Sequence, residues 1–368
     1  MTSITLAPDR PRAELTALLE GGLAFAFPLV FLFFGPSLPA LAGLYAGLLG
    51  LHLLLHNPQI LSPANLAAGG LIGLLESIYR VRADGDSLLF LIITPVIYAT
   101  AVVGIDVASR SVKMLSFYIR GHVLVVMLII AQRFAGGHFA STSYEFVSSR
   151  AVGPGLPDPN VFAMTHLALL LPALFAPRLQ PSDKALLTFL LMAVPGYSLS
   201  RAATLVIVFL VLVGLPRSVT VSLGVRAAVV AIASCAALMF FLQQDADSAR
   251  LSAADSAGAR FRYASDSLPG TLSRLGIFGV ADAEHMKVVG SGHFPAPSFH
   301  NTYLSILASS GLLGLASLIA LQVAVLRRFT SSAAWSVFII LNALWISTGA
   351  LIGVGMAAAV VLRGNNEL

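Results

Sequence analysis

Charged residues are scarce in this chain. Only 11% of the 368 residues are Asp, Glu, Lys or Arg, and 57% are hydrophobic. Soluble domains carry about a quarter charged residues, so a water-soluble fold is excluded for most of the chain. Apolar stretches of roughly 15 to 22 residues recur from Glu14 to Leu362, which is long enough to cross a hydrocarbon core of about 30 Å. The composition predicts an all-α polytopic integral membrane protein.

Cysteine is almost absent as well. The one cysteine, Cys235, lies within an apolar stretch. A single thiol excludes an intramolecular disulfide and a Cys-x-x-Cys metal site. The chain also lacks the Gly-x-x-x-x-Gly-Lys-Ser/Thr loop that binds nucleotide phosphates. Its formal net charge is +5, but the basic residues do not form a run, so no nucleic acid partner is expected.

The apolar stretches predict eleven or twelve transmembrane helices. The last hydrophobic region can be interpreted as two short spans or as one long helix. Residues 1–368 show no internal repeat and no separable soluble domain, so we treat them as a single transmembrane domain. The spans are predicted near 14–34, 37–56, 59–78, 87–107, 113–134, 160–177, 184–199, 202–216, 220–242, 301–326, 333–349 and 351–362.

The basic residues also predict the orientation, because cytoplasmic loops are rich in Lys and Arg. Two loops, 135–159 and 243–300, then face outward, and the second is the long polar stretch of the chain. A cytoplasmic N-terminus places the following residues beside span ends on the cytoplasmic side: Arg10, Arg12, Arg110, Lys113, Arg178, Lys184, Arg217, Arg226, Arg327 and Arg328.

The outward-facing regions contain more positive charge than this rule predicts. An anionic ligand on the outer face would explain the excess. Solvation in a loop and snorkelling at the membrane boundary are the alternatives for individual arginines. The residues concerned are Arg133, Arg150, Arg201, Arg250, Arg260, Arg262, Arg274 and Lys287.

A polar His-Asn pair opens the apolar stretch 298-SFHNTYLSILASSGLLGL-315. Ser298 is a candidate N-cap for a helix over 299–326. His300 would then lie in the first turn at the outer boundary, where free backbone N–H groups and the helix dipole favour anions. A neutral imidazole beside an anion can act as general base for a sugar hydroxyl. The alternative is that His300 and Asn301 only cap the helix.

Four stretches together resemble one family. The pattern of His300-Asn301, nine residues and then Gly311-x-x-Gly314 is similar to the signature of the O-antigen ligase and Wzy-type polysaccharide polymerase superfamily. Glycines at this spacing also let another helix approach closely. The other three stretches occur in the family's order, as 150-RAVGPGLPDPNVFA-163, 198-SLSRAATLVIVFLVL-212 and 258-GARFRYASDSLPGTLSRLGIFGVA-281.

The chain departs from the family pattern at three points. Tyr263 stands where the family has tryptophan, Ser309-Ser310 replaces a glutamate, and the Pro-x-x-Gly-x-Gly run before the histidine is degenerate. These differences leave open whether Arg260 or Arg262 is the family's loop arginine. They do not affect His300.

The resemblance implies a glycosyltransferase of the GT-C type with no cofactor and no metal. Its donor would be a glycan on undecaprenyl diphosphate, and its acceptor another lipid-linked glycan or lipid A–core. The setting would be the periplasmic face of a bacterial inner membrane, and a flippase and a chain-length regulator are expected partners. His300 would be catalytic, Arg150, Arg201 and Arg260 would bind the donor diphosphate, and Asn301, Arg262, Tyr303 and Asn160 would support them.

Other functions remain open from the sequence. His285, His293 and His300 could bind zinc, but their spacings do not match common ligand patterns. The pair 245-DAD-247 could bind a divalent metal, but its position favours a solvated end of the loop. A transporter of lipid-linked oligosaccharide would favour ionisable groups near mid-bilayer and an internal repeat. A scaffold for polysaccharide assembly would leave the outer arginines unexplained. Polymerase is slightly favoured over ligase.

Overall fold

The computed structural model describes residues 10–34, 39–56, 63–79, 81–82, 88–135, 159–174, 176, 178–198, 203–204, 206–208, 275–279 and 302–326. Regular secondary structure in these ranges is entirely helical, and no β-strand occurs within them. The helices are α1 (Arg10–Pro28) with a π-helical continuation (Leu29–Phe34), α2 (Pro39–His56), α3 (Pro63–Tyr79), α4 (Phe90–Ser109), α5 (Val112–Ala135), α6 (Pro159–Leu169), α7 (Leu171–Leu174), α8 (Pro181–Ser198) and α9 (Thr302–Leu326).

The predicted class, an all-α polytopic membrane protein, is confirmed. By length and composition, four helical segments of the described ranges can cross a membrane: Thr16–Phe34, Phe90–Ser109, Val112–Gln132 and Tyr303–Ala324. The spans predicted at 87–107 and 113–134 agree with α4 and α5 to within a few residues. The predicted spans 220–242, 333–349 and 351–362, and most of 202–216, lie outside the described residues.

Two glycines bring α3 and α4 into close contact. A Cβ added at Gly73 would lie 2.5 Å from the Cα of Pro95, and one at Gly69 would lie 2.9 Å from the Cα of Ala99. Both glycines are buried, and their spacing of four residues places them on one face of α3. Such a stripe of small residues lets two membrane helices pack backbone against backbone. The α3–α4 pair is therefore a closely packed unit.

An aromatic cluster joins α1 to α2 and α5. The rings of Phe27 and Phe31 stack with centroids 4.6 Å apart, and Tyr45 of α2 meets Phe31 edge-on at 5.4 Å. The Tyr45 hydroxyl donates to the Leu23 carbonyl at 3.2 Å. Tyr118 of α5 completes the cluster at 5.9 Å from Phe27. Buried aromatic pairs of this geometry stabilise a core beyond their area alone.

The α5–α6 contact buries two imidazoles. His122 and His166 are fully buried, and their rings stack with centroids 4.8 Å apart and an interplanar angle of 22°. Tyr118 packs edge-on against His122 at 4.6 Å, and its hydroxyl donates to the Leu169 carbonyl at 2.6 Å. The two imidazoles pack here as flat aromatic rings within the bundle.

The α3–α4 contact generates a stability prediction. Gly73→Ala forces a methyl group into the backbone of Pro95, so we expect it to lower the free energy of unfolding by about 1–3 kcal/mol. Gly70→Ala is the matched control, because an added Cβ there meets nothing within 4 Å. Thermal unfolding in detergent, followed by size-exclusion chromatography, measures both variants. Equal midpoints for the two would contradict the close packing.

Candidate functional site: a broken helix held by Arg82

The helix that follows the predicted catalytic histidine is broken in its middle. It begins at Thr302, two residues after His300, and ends at Leu326. Gly311 has φ 66° and ψ −161°, which is far from helical geometry. A positive φ is readily adopted by glycine and strained for other residues. The break divides α9 into a first leg (302–310) and a second leg (312–326).

The two legs fold back on each other. The side chain of Gln322 donates from Nε2 to the hydroxyl of Tyr303 at 2.7 Å, across 19 residues of sequence. A straight helix would separate these residues by about 28 Å, and a right-angled bend at Gly311 by about 20 Å. Two such side chains joined by a hydrogen bond span at most about 14 Å. The angle between the legs is therefore acute, and α9 is a helical hairpin.

The two legs have different surroundings. Every residue from Ser305 to Ser310 in the first leg is buried. The second leg exposes one face and buries another, with Leu312 and Ile319 exposed but Leu318 and Gln322 buried. An apolar exposed face on a membrane protein faces lipid. The first leg is the inner, buried leg, and the second leg is the peripheral one.

The break separates one pair of backbone groups that a continuous helix would join, and each of the two has another partner. In an unbroken helix the Leu313 N–H would donate to the Ser309 carbonyl. Here the Leu313 N–H donates to the Ile277 carbonyl at 3.2 Å. The Ser309 carbonyl instead accepts from Nη1 of Arg82. Because unsatisfied backbone groups are costly in apolar surroundings, these two contacts stabilise the break.

Arg82 also binds the segment that supplies the new carbonyl. The same Nη1 donates to the Phe278 carbonyl at 2.6 Å. Since Nη1 carries two hydrogens, it can donate to the Phe278 and Ser309 carbonyls at the same time. Arg82 lies three residues beyond the end of α3, so it belongs to the packed α3–α4 unit. It joins that unit to the first leg of α9 and to the docked segment.

The docked segment 275–279 is a tight turn. Gly276 and Gly279 exchange hydrogen bonds, each N–H donating to the other's carbonyl at 3.2 Å. Gly279 has φ 98°, and a Cβ there would lie 2.5 Å from the Ala308 carbonyl oxygen. The side chains of Ile277 and Phe278 are mostly exposed, because the turn contacts α9 through its backbone. The two glycines therefore allow the contact.

Each glycine of the Gly311-x-x-Gly314 pattern has a separate role. Gly311 makes the break, and a side chain there would collide with the backbone of Ile277 and Gly279. Gly314 lies on the peripheral leg, where an added Cβ would meet the side chains of Ser310 and Ile306 on the buried leg. The close approach predicted for this pattern is thus between two parts of α9.

Of the predicted site residues, the structure describes Tyr303 with its side chain. Tyr303 is partly buried near the start of the first leg and accepts the Gln322 hydrogen bond. Asn160 is the second residue of α6. The remaining predicted residues lie outside the described ranges: His300, Asn301, Arg150, Arg201, Arg260 and Arg262.

A comparison with protein families identifies the region around α9. Residues 186–319 match the family model described as O-antigen ligase. The matched region includes the turn 275–279, the break at Gly311 and Gly314. The match confirms the resemblance to the O-antigen ligase superfamily seen in the sequence. No curated protein and no solved structure matches the chain.

Two residues outside the matched region, Arg82 and Gln322, were not predicted from the sequence to be functional. Arg82 follows the predicted span 59–78 in a short connection, and nothing in its local sequence indicates partners at positions 278 and 309. Gln322 is a lone amide in an apolar stretch, which is a weak signal. A polar residue among apolar ones at that depth needs a hydrogen-bond partner, and Tyr303 is that partner.

The hairpin can be tested by cross-linking. In a Cys235→Ala background, we expect Tyr303→Cys and Gln322→Cys to be joined within one chain by a bifunctional maleimide of about 10 Å reach, because the hairpin brings them together. Lys113→Cys with Gln132→Cys is the control pair, since both are exposed, also 19 residues apart and on the one helix α5. Mass spectrometry of the linked peptides measures the yield. Equal, low yields from the two pairs would indicate an unbroken α9.

Proposed function

We propose that this protein is a GT-C-type membrane glycosyltransferase that moves a glycan from undecaprenyl diphosphate to a sugar hydroxyl at the periplasmic face. The observation that carries the proposal is the O-antigen ligase family match over 186–319. The family implies a lipid-linked glycan as donor and a second glycan as acceptor. The multi-pass helical fold suits a donor that stays in the bilayer.

The donor determines what the site must bind. As the bond between the sugar carbon and the diphosphate oxygen breaks, the leaving group takes the electron pair and gains negative charge. Guanidinium groups bind such oxygens through paired hydrogen bonds and need no metal. We assign Arg150, Arg201 and Arg260 to this role, with Arg262 in support. Preorganised positive charge at the leaving group lowers the barrier.

The acceptor determines the other half of the chemistry. A sugar hydroxyl must lose its proton as its oxygen bonds to the donor carbon. We assign His300 as the group that accepts this proton, with Asn301 orienting the ring or the hydroxyl. Tyr303 and Asn160 are placed in support, since each follows shortly after a polar segment of the chain.

The geometry of α9 supports this placement. Residues 280–301, which contain His300, connect the docked turn to the buried leg. The Arg82 contacts fix the docked turn beside Gly311, and the buried leg begins about 13 Å from that point, two residues after His300. A segment attached at both ends samples fewer conformations, so its side chains are easier to hold in a reactive arrangement.

The acceptor distinguishes two candidate activities. We propose a polymerase, in which a second lipid-linked repeat unit supplies the hydroxyl. Ligase is the second candidate, with lipid A–core as acceptor, because the matched family model carries that description. Both keep the lipid diphosphate donor, the inner membrane location, the cytoplasmic N-terminus and a periplasmic site. A flippase would supply the donor, and a chain-length regulator is the partner expected for the polymerase.

The first test is glycan transfer by purified protein in nanodiscs. With a lipid-diphosphate-linked oligosaccharide alone, we expect a ladder of products, as a polymerase gives. A new band that requires lipid A–core would identify a ligase. His300→Ala should lower the rate by about 10²- to 10⁴-fold, which is the usual contribution of a general base.

His293→Ala is the matched control, because it removes a histidine from the same polar region. It should transfer glycan at the wild-type rate. Product formation by His300→Ala at the wild-type rate would overturn the base assignment. Absence of any product from the wild-type protein with a cognate donor would overturn the enzyme proposal and favour a transporter.

The arginine assignment has its own test. Replacing Arg150, Arg201 and Arg260 by Ala together should raise the Kd for a short-chain polyprenyl diphosphate by more than about tenfold, because hydrogen bonds to charged groups are lost. The control is the triple replacement of Arg133, Arg250 and Arg274, which removes the same charge from outward-facing regions. Calorimetry measures both. An equal Kd for the two triple variants would contradict the diphosphate site.

A further inference from the structure

Arg82 contacts the C-terminal end of the buried leg. Its Nη1 donates to the Ser309 carbonyl, one residue before the leg ends at Ser310. The last carbonyls of a helix lack partners within the helix and carry partial negative charge, so a cation is stabilised there. Arg82 therefore caps the buried leg, although it comes from another part of the chain, 227 residues away.

The same guanidinium binds the docked turn, so one side chain contacts both the turn 275–279 and the buried leg of α9. Removal of Arg82 would leave the carbonyls of Ser309 and Phe278 without this donor. The hydrogen bond from the Leu313 N–H to the Ile277 carbonyl would then hold the turn without the two Arg82 hydrogen bonds. Arg82 extends toward the turn and the buried leg from the packed α3–α4 unit, which holds its backbone in place.

We infer that Arg82 is a positioning residue: it clamps the turn 275–279 to the C-terminal end of the buried leg of α9. Its effect on catalysis rests on the proposed function, whereas the clamp itself does not. Arg82 need not touch substrate. It acts through the buried leg, which begins two residues after His300. A leg that is not clamped to the turn lowers the fraction of molecules in the reactive arrangement.

The residue type fits this role. A guanidinium presents several N–H donors in a fixed plane and remains charged, so it can bridge two carbonyls at once. A lysine at the same position supplies a charge and rotatable donors but not the planar fork. Arg82→Lys should keep part of the clamp, and Arg82→Ala should lose it.

A disulfide assay measures the clamp without any substrate. Ile277→Cys and Leu313→Cys, in a Cys235→Ala background, are exposed positions joined by a backbone hydrogen bond. That bond brings their Cα atoms near the range of about 4.4–6.8 Å that a disulfide needs. We expect oxidation of this parent to be about tenfold faster than that of its Arg82→Ala derivative, with Arg82→Lys between them.

The control is Arg120→Ala in the same parent. Arg120 is an exposed arginine of α5 that lies over the ring of Phe117. It should leave the oxidation rate unchanged. If Arg82→Ala oxidises as fast as the parent, the clamp is overturned. If Arg82→Ala does not elute as a folded protein on size exclusion, the comparison of Arg82→Lys with the parent decides in its place.

The catalytic effect is measured on the same proteins. Under reducing conditions, Arg82→Ala should lower kcat by about 10- to 100-fold with the donor KM little changed. Oxidation of the 277–313 pair should then restore most of kcat, because a covalent link replaces the clamp. A purely structural role for Arg82 predicts no such rescue, and failure of rescue overturns the positioning role.

The two proposals fail in different ways. If the parent forms no glycan product, the proposed function is overturned, while the oxidation rates still support or overturn the clamp. If the parent forms product and Arg82→Ala equals it in kcat, the positioning role is overturned whatever the oxidation rates show.

Discussion

A break inside an apolar helix leaves backbone groups that must find partners. At Gly311 the helix stops and turns back, which frees the Ser309 carbonyl and the Leu313 N–H. Each unsatisfied group would cost several kcal/mol in a hydrocarbon environment. The protein satisfies them with Arg82 and with the Ile277 carbonyl. The shape of α9, the position of the turn 275–279 and the burial of the first leg all depend on these partners.

This constraint links distant parts of the chain. Arg82 is placed by the close packing of α3 on α4, which in turn requires Gly69 and Gly73. The hairpin also brings Tyr303 back to Gln322 and buries the serines of the first leg. Within the region that matches the O-antigen ligase family model, the turn precedes His300 in the sequence and the broken helix follows it. Through Arg82, the α3–α4 pair is therefore connected to a turn and a helix far along the chain.

Much of the helical architecture could be predicted from the sequence. Apolar stretches locate α4 and α5 to within a few residues, because the bilayer sets the length of a crossing helix. The ordered motifs also predicted the family. The hairpin could not be predicted in this way, because residues 302–326 are mostly apolar, carry no charge, and have a composition that fits one straight span. Its cause is a positive φ at Gly311 together with partners at positions 82 and 277.

The contacts around Gly311 and Gly314 could be predicted only in part. The Gly311-x-x-Gly314 pattern indicated a close approach, and the structure shows that Gly314 meets the buried leg of its own hairpin. No functional role was predicted for Arg82, because an arginine after a span usually marks a membrane boundary. The roles of His300, Arg150, Arg201 and Arg260 stay predictions, since these residues lie outside the described ranges.

The most direct measurement is a cryo-electron microscopy map of the full chain in nanodiscs at side-chain resolution. We expect density that turns back at Gly311, with the Tyr303 ring beside Gln322 and the Arg82 guanidinium between the carbonyls of Ser309 and Phe278. Continuous straight helical density over 302–326, with Arg82 directed away from it, would contradict the clamped hairpin.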